Sequence, residues 1–103
     1  MIEIDIHPEE AGAGQISAAH LERARTALRQ DGIVILKDVI DTAHLDVLRE
    51  RMLADLQTIL DRKDAPFQFN TGNVQQDPPP FPPYLFRDIL VNPIVVSVTK
   101  SIL

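Results

Sequence analysis

The chain contains no cysteine, which excludes disulfides and thiolate metal sites. A reducing compartment suits such a chain, and a cytoplasmic location is expected. Basic residues are scarce: ten Lys and Arg stand against fifteen Asp and Glu, a formal net charge of −5. They form no stripe or cluster, so no nucleic-acid partner is expected. Attachment to an anionic membrane surface is disfavoured for the same reason. A long apolar run is missing too. The longest uncharged stretch, Ile89 to Thr99, is interrupted by Asn92 and Pro93, and it falls well short of the ~20 residues a membrane helix needs. No charged-then-apolar leader opens the chain, so no signal peptide is expected.

What is present suits one domain or part of one: 103 residues, 45% of them hydrophobic. A chain of this size buries roughly two thirds of its unfolded surface. Residues 1–15 are acidic and small, carrying Glu3, Asp5, Glu9 and Glu10 with no base among the first fourteen. They read as a flexible acidic arm. Ile2, Ile4 and Ile6 alternate with acids and offer a short strand within it.

Residues 16–103 read as the folded part. Ser17 has the chemistry of an N-cap. Leu21, Ala24 and Leu28 follow at helical spacing, and Gly32 supplies a stop, so a helix is predicted over about residues 18–30. Ile33-Val34-Ile35-Leu36 is continuous, apolar and mostly β-branched, the pattern of a buried strand. Asp41 or Thr42 caps a long second helix. Its apolar positions, among them Leu45, Leu48, Met52, Leu56 and Ile59, fall on one broad face. Arg49 falls within that face, where its stem is expected to lie over apolar surface with its head in water.

Regular structure is expected to lapse over residues 61–83, a run rich in Pro, Asn and Gln. A loop this long in a compact domain is usually functional or disordered. Phe67 and Phe69 flank Gln68, so an extended backbone points both rings to one face. Pro78-Pro79-Pro80 favours a polyproline path. It offers either a partner-binding segment or a surface for local packing by Phe81 and Tyr84. A short helix is predicted over residues 84–90. Asn92-Pro93 is a cap followed by proline at the first helical position. Ile94, Val95, Val98, Ile102 and Leu103 then fit a helical face, with a strand as the alternative because so many are β-branched.

Each histidine is followed two residues later by an acid: His7-Pro8-Glu9, His20-Leu21-Glu22 and His44-Leu45-Asp46. Non-haem Fe(II) sites use such a pair with a distant second histidine. On a helix, however, residues two apart point about 200° away from each other and cannot chelate one ion. His20 and His44 follow Ser17 and Asp41 by three residues, so these phrases look alike because both begin helices. His7 falls in the arm with no partner evident. No histidine follows residue 44, and no metal site is expected. Gly12-Ala13-Gly14 lacks the lysine of a phosphate loop, and no serine has the context of a catalytic nucleophile.

Three segments together resemble the N-terminal part of the phytanoyl-CoA dioxygenase family. They are Asp31-Gly32-Ile33-Val34-Ile35-Leu36-Lys37-Asp38-Val39-Ile40 with its following helix, Thr71-Gly72-Asn73-Val74-Gln75-Gln76-Asp77-Pro78-Pro79-Pro80, and Arg87-Asp88-Ile89-Leu90-Val91-Asn92-Pro93. The resemblance spans about residues 20–103. It implies an α+β fold: a mostly helical layer plus the first strand or strands of a double-stranded β-helix, the jelly-roll. It also implies Fe(II) and 2-oxoglutarate as cofactors of the complete domain, with a small organic or acyl substrate. The family's iron ligands and 2-oxoglutarate-gripping residue lie beyond the matched region, so no catalytic residue and no metal ligand carries over. Within the loop, Asn73 and Gln75 are the candidates to reach cofactor or substrate, and Asn70 and Gln76 to reach substrate. Their alternative role is to satisfy turn backbone.

The last residues, Ser101-Ile102-Leu103, stop inside an apolar pattern. The expectation is that the remaining jelly-roll portion, or another subunit, covers it, and that the isolated chain is inactive. The rival reading is a non-enzymatic, α-rich interaction module that docks through its apolar C-terminal helix.

Overall fold

The computed structural model describes residues 1–64, 67–68 and 72–103, with Phe67 and Gln68 described by backbone alone. The chain is α+β and divides into two compact units. One combines residues 1–41 with residues 87–103, and the other spans residues 42–86.

The first unit begins with strand β1 (Glu3–Asp5), helix α1 (Pro8–Ala13), helix α2 (Ala18–Asp31) and strand β2 (Ile35–Lys37). Ser17 caps α2 as its chemistry requires, its hydroxyl accepting from the His20 N–H at 3.2 Å. Gly32 closes the helix in the left-handed conformation, φ 73°. The two strands pair in parallel with Glu3 opposite Ile35, Ile4 opposite Leu36 and Asp5 opposite Lys37. A crossover helix such as α2 is what a parallel pair needs.

The alternating isoleucines behave as a strand should. Ile4 and Ile6 are buried, whereas Glu3 and Asp5 are exposed and reach the Lys37 ammonium at 3.9 and 3.4 Å. Residues 1–15, expected as a flexible acidic arm, thus contribute a strand, a helix and two core residues. The reason is that the isoleucine face finds α2 to pack against. The expected strand over residues 33–36 is displaced and less buried than anticipated. Ile33 is 47% exposed, and Ile35 and Leu36 are half-buried. A sheet of two strands does not sandwich its members as a larger parallel sheet would.

The unit is completed by α4 (Arg87–Leu90) and α5 (Pro93–Ile102). The helix at the end of the chain prevails over the strand alternative because its start is fully specified. Asn92 Oδ1 accepts from the Ile94 and Val95 N–H groups at 3.0 and 3.3 Å, and Pro93 follows at the first helical position. The Asn92 amide nitrogen donates to the Val39 and Asp88 carbonyls, both at 2.9 Å, so this buried side chain is well satisfied. α5 packs on α2, and Ile4, Ile6, Ala24, Ile94 and Val98 form the core. Ile4 is fully buried, and truncating such a residue to alanine costs about 2–5 kcal/mol.

The second unit is built on α3 (Thr42–Leu60). Within the expected loop, Phe67–Gln68 (β3) and Asn73–Val74 (β4) form a short antiparallel pair, so regular structure does not lapse throughout. The predicted common face of Phe67 and Phe69 falls outside the described residues. The expected helix over residues 84–90 is shorter, starting at Arg87. The Tyr84 N–H instead donates to the Phe81 carbonyl at 3.0 Å in a turn.

Candidate functional site

A polar cluster in the first unit is centred on Glu10, a carboxylate with 8% of its surface exposed. His7 is the N-cap of α1, Pro8 occupies the first helical position and Glu10 the third. This is capping-box spacing. Glu10 Oε1 accepts from the His7 N–H at 3.0 Å. Its other oxygen accepts from the Ser17 N–H at 2.7 Å, at the cap of the next helix. Nδ1 of His20, in the first turn of α2, lies 2.8 Å from Oε1. The ionised carboxylate only accepts, so that imidazole nitrogen carries the shared proton. The His7 ring sits 5.2 Å from the His20 ring, centre to centre, tilted by 36°.

These contacts favour the charged carboxylate. The Ser17 N–H is the largest influence, and the His7 N–H and the His20 ring add to it against the opposing effect of burial. Together they hold the Glu10 carboxyl down at about 2. Glu10 is therefore an anion throughout the physiological range. One ligating atom from each of His7, Glu10 and His20 lies within 4.8 Å of the others, the one such group of three among the described residues.

A histidine with an acid two residues on does not mark this group, because the carboxylate that matters is Glu10, three residues after His7. The second imidazole arrives from another helix. His7, expected to lack a partner, has one in this cluster. The available signal was Pro8 with an acid two residues later, which marks His7 as a cap and turns Glu10 back toward it. Glu9 and Glu22 do not join. Glu9 is exposed, and Glu22 lies 3.9 Å from Arg25. His44 instead stacks on Phe86, with ring centres 4.4 Å apart.

The amides singled out for cofactor or substrate belong to the second unit. Asn73 and Gln75 are exposed. Gln76 is half-buried and donates from Nε2 to the Met52 carbonyl at 2.9 Å, tying the loop to α3. Asn70 lies outside the described residues. Gln76 borders an open apolar trough along α3 with Leu45, Leu48, Arg49, Met52 and Leu56. Arg49 is exposed beside it. Amide side chains are poor Fe(II) ligands, so Asn73, Gln75 and Gln76 do not fit iron and no step through iron is assigned to them.

The proline-rich segment is held by Arg51. Its guanidinium binds both oxygens of Asp55, one turn along α3, at 2.9 and 3.0 Å. It also lies over the Phe81 and Tyr84 rings, 5.4 and 5.3 Å from their centres. A planar cation suits both contacts at once.

A second open trough, about 330 Å³, lies in the first unit between α2, β2 and α5. Leu28, Val34, Leu36, Val95 and Ile102 line it. No protein-family model matches the chain. Among the described residues, no helix is long and apolar enough to cross a membrane.

Proposed function

We propose that this chain forms the N-terminal, largely helical section of a phytanoyl-CoA-dioxygenase-like oxygenase. In the complete domain, bound Fe(II) and 2-oxoglutarate would supply oxidative chemistry toward a small organic or acyl substrate. The residues of this chain would act as a support layer, with the Asn/Gln/Pro loop bordering the substrate entrance. The sequence resemblance is the source of the reading. The structural observation that best supports it is the apolar trough beside β2. Among the described residues that strand has one hydrogen-bonded neighbour, β1, and its apolar flank stays open next to Leu28, Val95 and Ile102. Further strands of a jelly-roll would extend the sheet and fill that flank.

The experiment is the intact mass of the protein as made in its native source, followed by 2-oxoglutarate turnover. A longer protein, with a later His-x-Asp and a further histidine, and with Fe(II)-dependent succinate release absent from residues 1–103 alone, supports the proposal. Native protein ending at Leu103, or iron-dependent succinate release by the isolated chain, overturns it. A 103-residue monomer that unfolds cooperatively and gives no turnover would instead favour the interaction module.

A further inference from the structure

We infer that His7, Glu10 and His20 form a binding site for one divalent transition metal ion of the zinc class, held by two imidazole nitrogens and one carboxylate oxygen. The inference stands on these three residues and does not depend on the oxygenase reading.

The donor set decides the class of ion. Two imidazoles and a carboxylate suit Zn²⁺, Co²⁺, Ni²⁺ or Fe²⁺, whereas Mg²⁺ and Ca²⁺ prefer all-oxygen shells. Three protein ligands complete a tetrahedral site with water in the fourth position. The geometry is close to that arrangement already. The His20 Nδ1 to Glu10 Oε1 separation is 2.8 Å, and neighbouring ligands around a zinc-sized ion stand about 3–3.5 Å apart. A metal would take the place of the proton those two atoms now share. The ligating atoms of the whole group all lie within 4.8 Å of one another, so the widest pair has to close by at most roughly 1.3–1.8 Å to reach that spacing. His7 has the freedom to do so. Its side chain is exposed and its backbone is extended at φ −69°, ψ 148°, so a side-chain rotation suffices.

The carboxylate is already fixed in place. Backbone N–H groups from His7 and Ser17 hold its two oxygens, and hydrogen bonds of this kind orient metal-binding carboxylates. An ionised carboxylate has about four acceptor positions, and the three present contacts leave room for an ion. The bland reading is that Glu10 and His20 are a structural ion pair joining α1 to α2. That reading explains Glu10 and His20. It gives the His7 ring only local contacts, with the first turn of α1 as its cap and with the His20 ring, and no part in ion binding, so the affinity of His7→Ala is where the two readings part.

The test is titration of the untagged chain with Co²⁺, followed by visible absorption, and with Zn²⁺, followed by calorimetry and thermal unfolding. The variants are His7→Ala, His20→Ala, Glu10→Gln and, as a control, His44→Gln. The expected result is one ion per chain, tetrahedral-type Co²⁺ bands, and a Tm rise on the order of 10 °C at about 100 times Kd. Affinity should fall roughly tenfold or more in His7→Ala, His20→Ala and Glu10→Gln, at least the loss seen for outer-shell partners, and stay unchanged in His44→Gln. His7→Ala keeps the backbone N–H that caps α1, so it remains decisive even where His20→Ala unfolds. No saturable binding, or binding by His7→Ala as tight as that of the parent chain, overturns the inference.

Discussion

At the scale of single residues, Glu10, Asn92 and Gly14 fix the first unit. The carboxyl of Glu10 has an ordinary value of 4.5 and is held at about 2 in the folded chain. Between those values the unfolded chain binds more protons, so stability rises with pH there. The Glu10 contribution is fully present above about pH 5 and is lost as pH falls toward 2. Unfolding midpoints of the parent chain and Glu10→Gln should therefore be well separated near pH 6 and converge near pH 2.5. A separation that does not change over this range would contradict the assignment. Asn92 acts as both acceptor and donor. Replacing it with alanine removes the α5 cap and strands the Val39 and Asp88 carbonyls, an expected cost of about 2–3 kcal/mol in denaturant unfolding. Asn92→Asp keeps the acceptor for the helix N–H groups but sets a carboxylate against those two carbonyls, and should remain destabilising. Gly14 ends α1 at φ 65°, and a Cβ placed there would lie 2.9 Å from Cγ of Pro93. Gly14→Ala should cost more than Gly32→Ala. Both suffer about 1–2 kcal/mol for the left-handed backbone, but a Cβ on Gly32 meets nothing within 4 Å.

At the scale of elements, local capping chemistry was the most legible part of the sequence. Ser17, Gly32, Asn92 and Pro93 marked the bounds of α2 and the start of α5 because caps are read from adjacent residues. The isoleucine alternation marked β1 for the same reason. What escaped were features that depend on partners distant in the chain. The low burial of Ile33 follows from a sheet of two strands, which no local pattern reveals. The Glu10 cluster needs α1 and α2 brought together. α1 itself was hidden by two glycines and an acidic composition that read as an arm. On α3 the apolar pattern was legible but its fate was not: none of its residues is buried, and Leu45, Leu53 and Leu60 are 40%, 49% and 44% exposed. Arg51 is the element's link to the proline-rich segment. Arg51→Ala should speed proteolytic cleavage within residues 76–86. Arg51→Lys should rescue little, since an ammonium lacks the planar face that lies on Phe81 and Tyr84. Equal cleavage rates in all three proteins would show that this stacking contributes nothing.

At the scale of the whole molecule, individual helices and a strand were legible from their periods, the α+β class was implied by the resemblance, and the chain is α+β. The jelly-roll continuation, the cofactors and the substrate rest on resemblance and on the tests set out above. The division of the chain has a bearing on its assembly. Asp41 and Asp88 both belong to the first unit, and the Asp41 N–H donates to the Asp88 carboxylate at 2.9 Å. Between them runs the entire second unit, residues 42–86. In chain order the second unit is therefore a guest sequence between two stretches of the first unit, its host, and those two stretches are joined by this hydrogen bond. The host's core joins Ile4 to Ile94 and Val98, so during synthesis it stays unfinished until the guest has been made and α5 emerges. Closing a loop of that length costs little more than closing a short one, since the penalty grows only logarithmically. The guest should accordingly be removable. A chain with residues 42–86 replaced by a few glycines and serines is expected to fold cooperatively and to keep the chemistry of His7, Glu10 and His20.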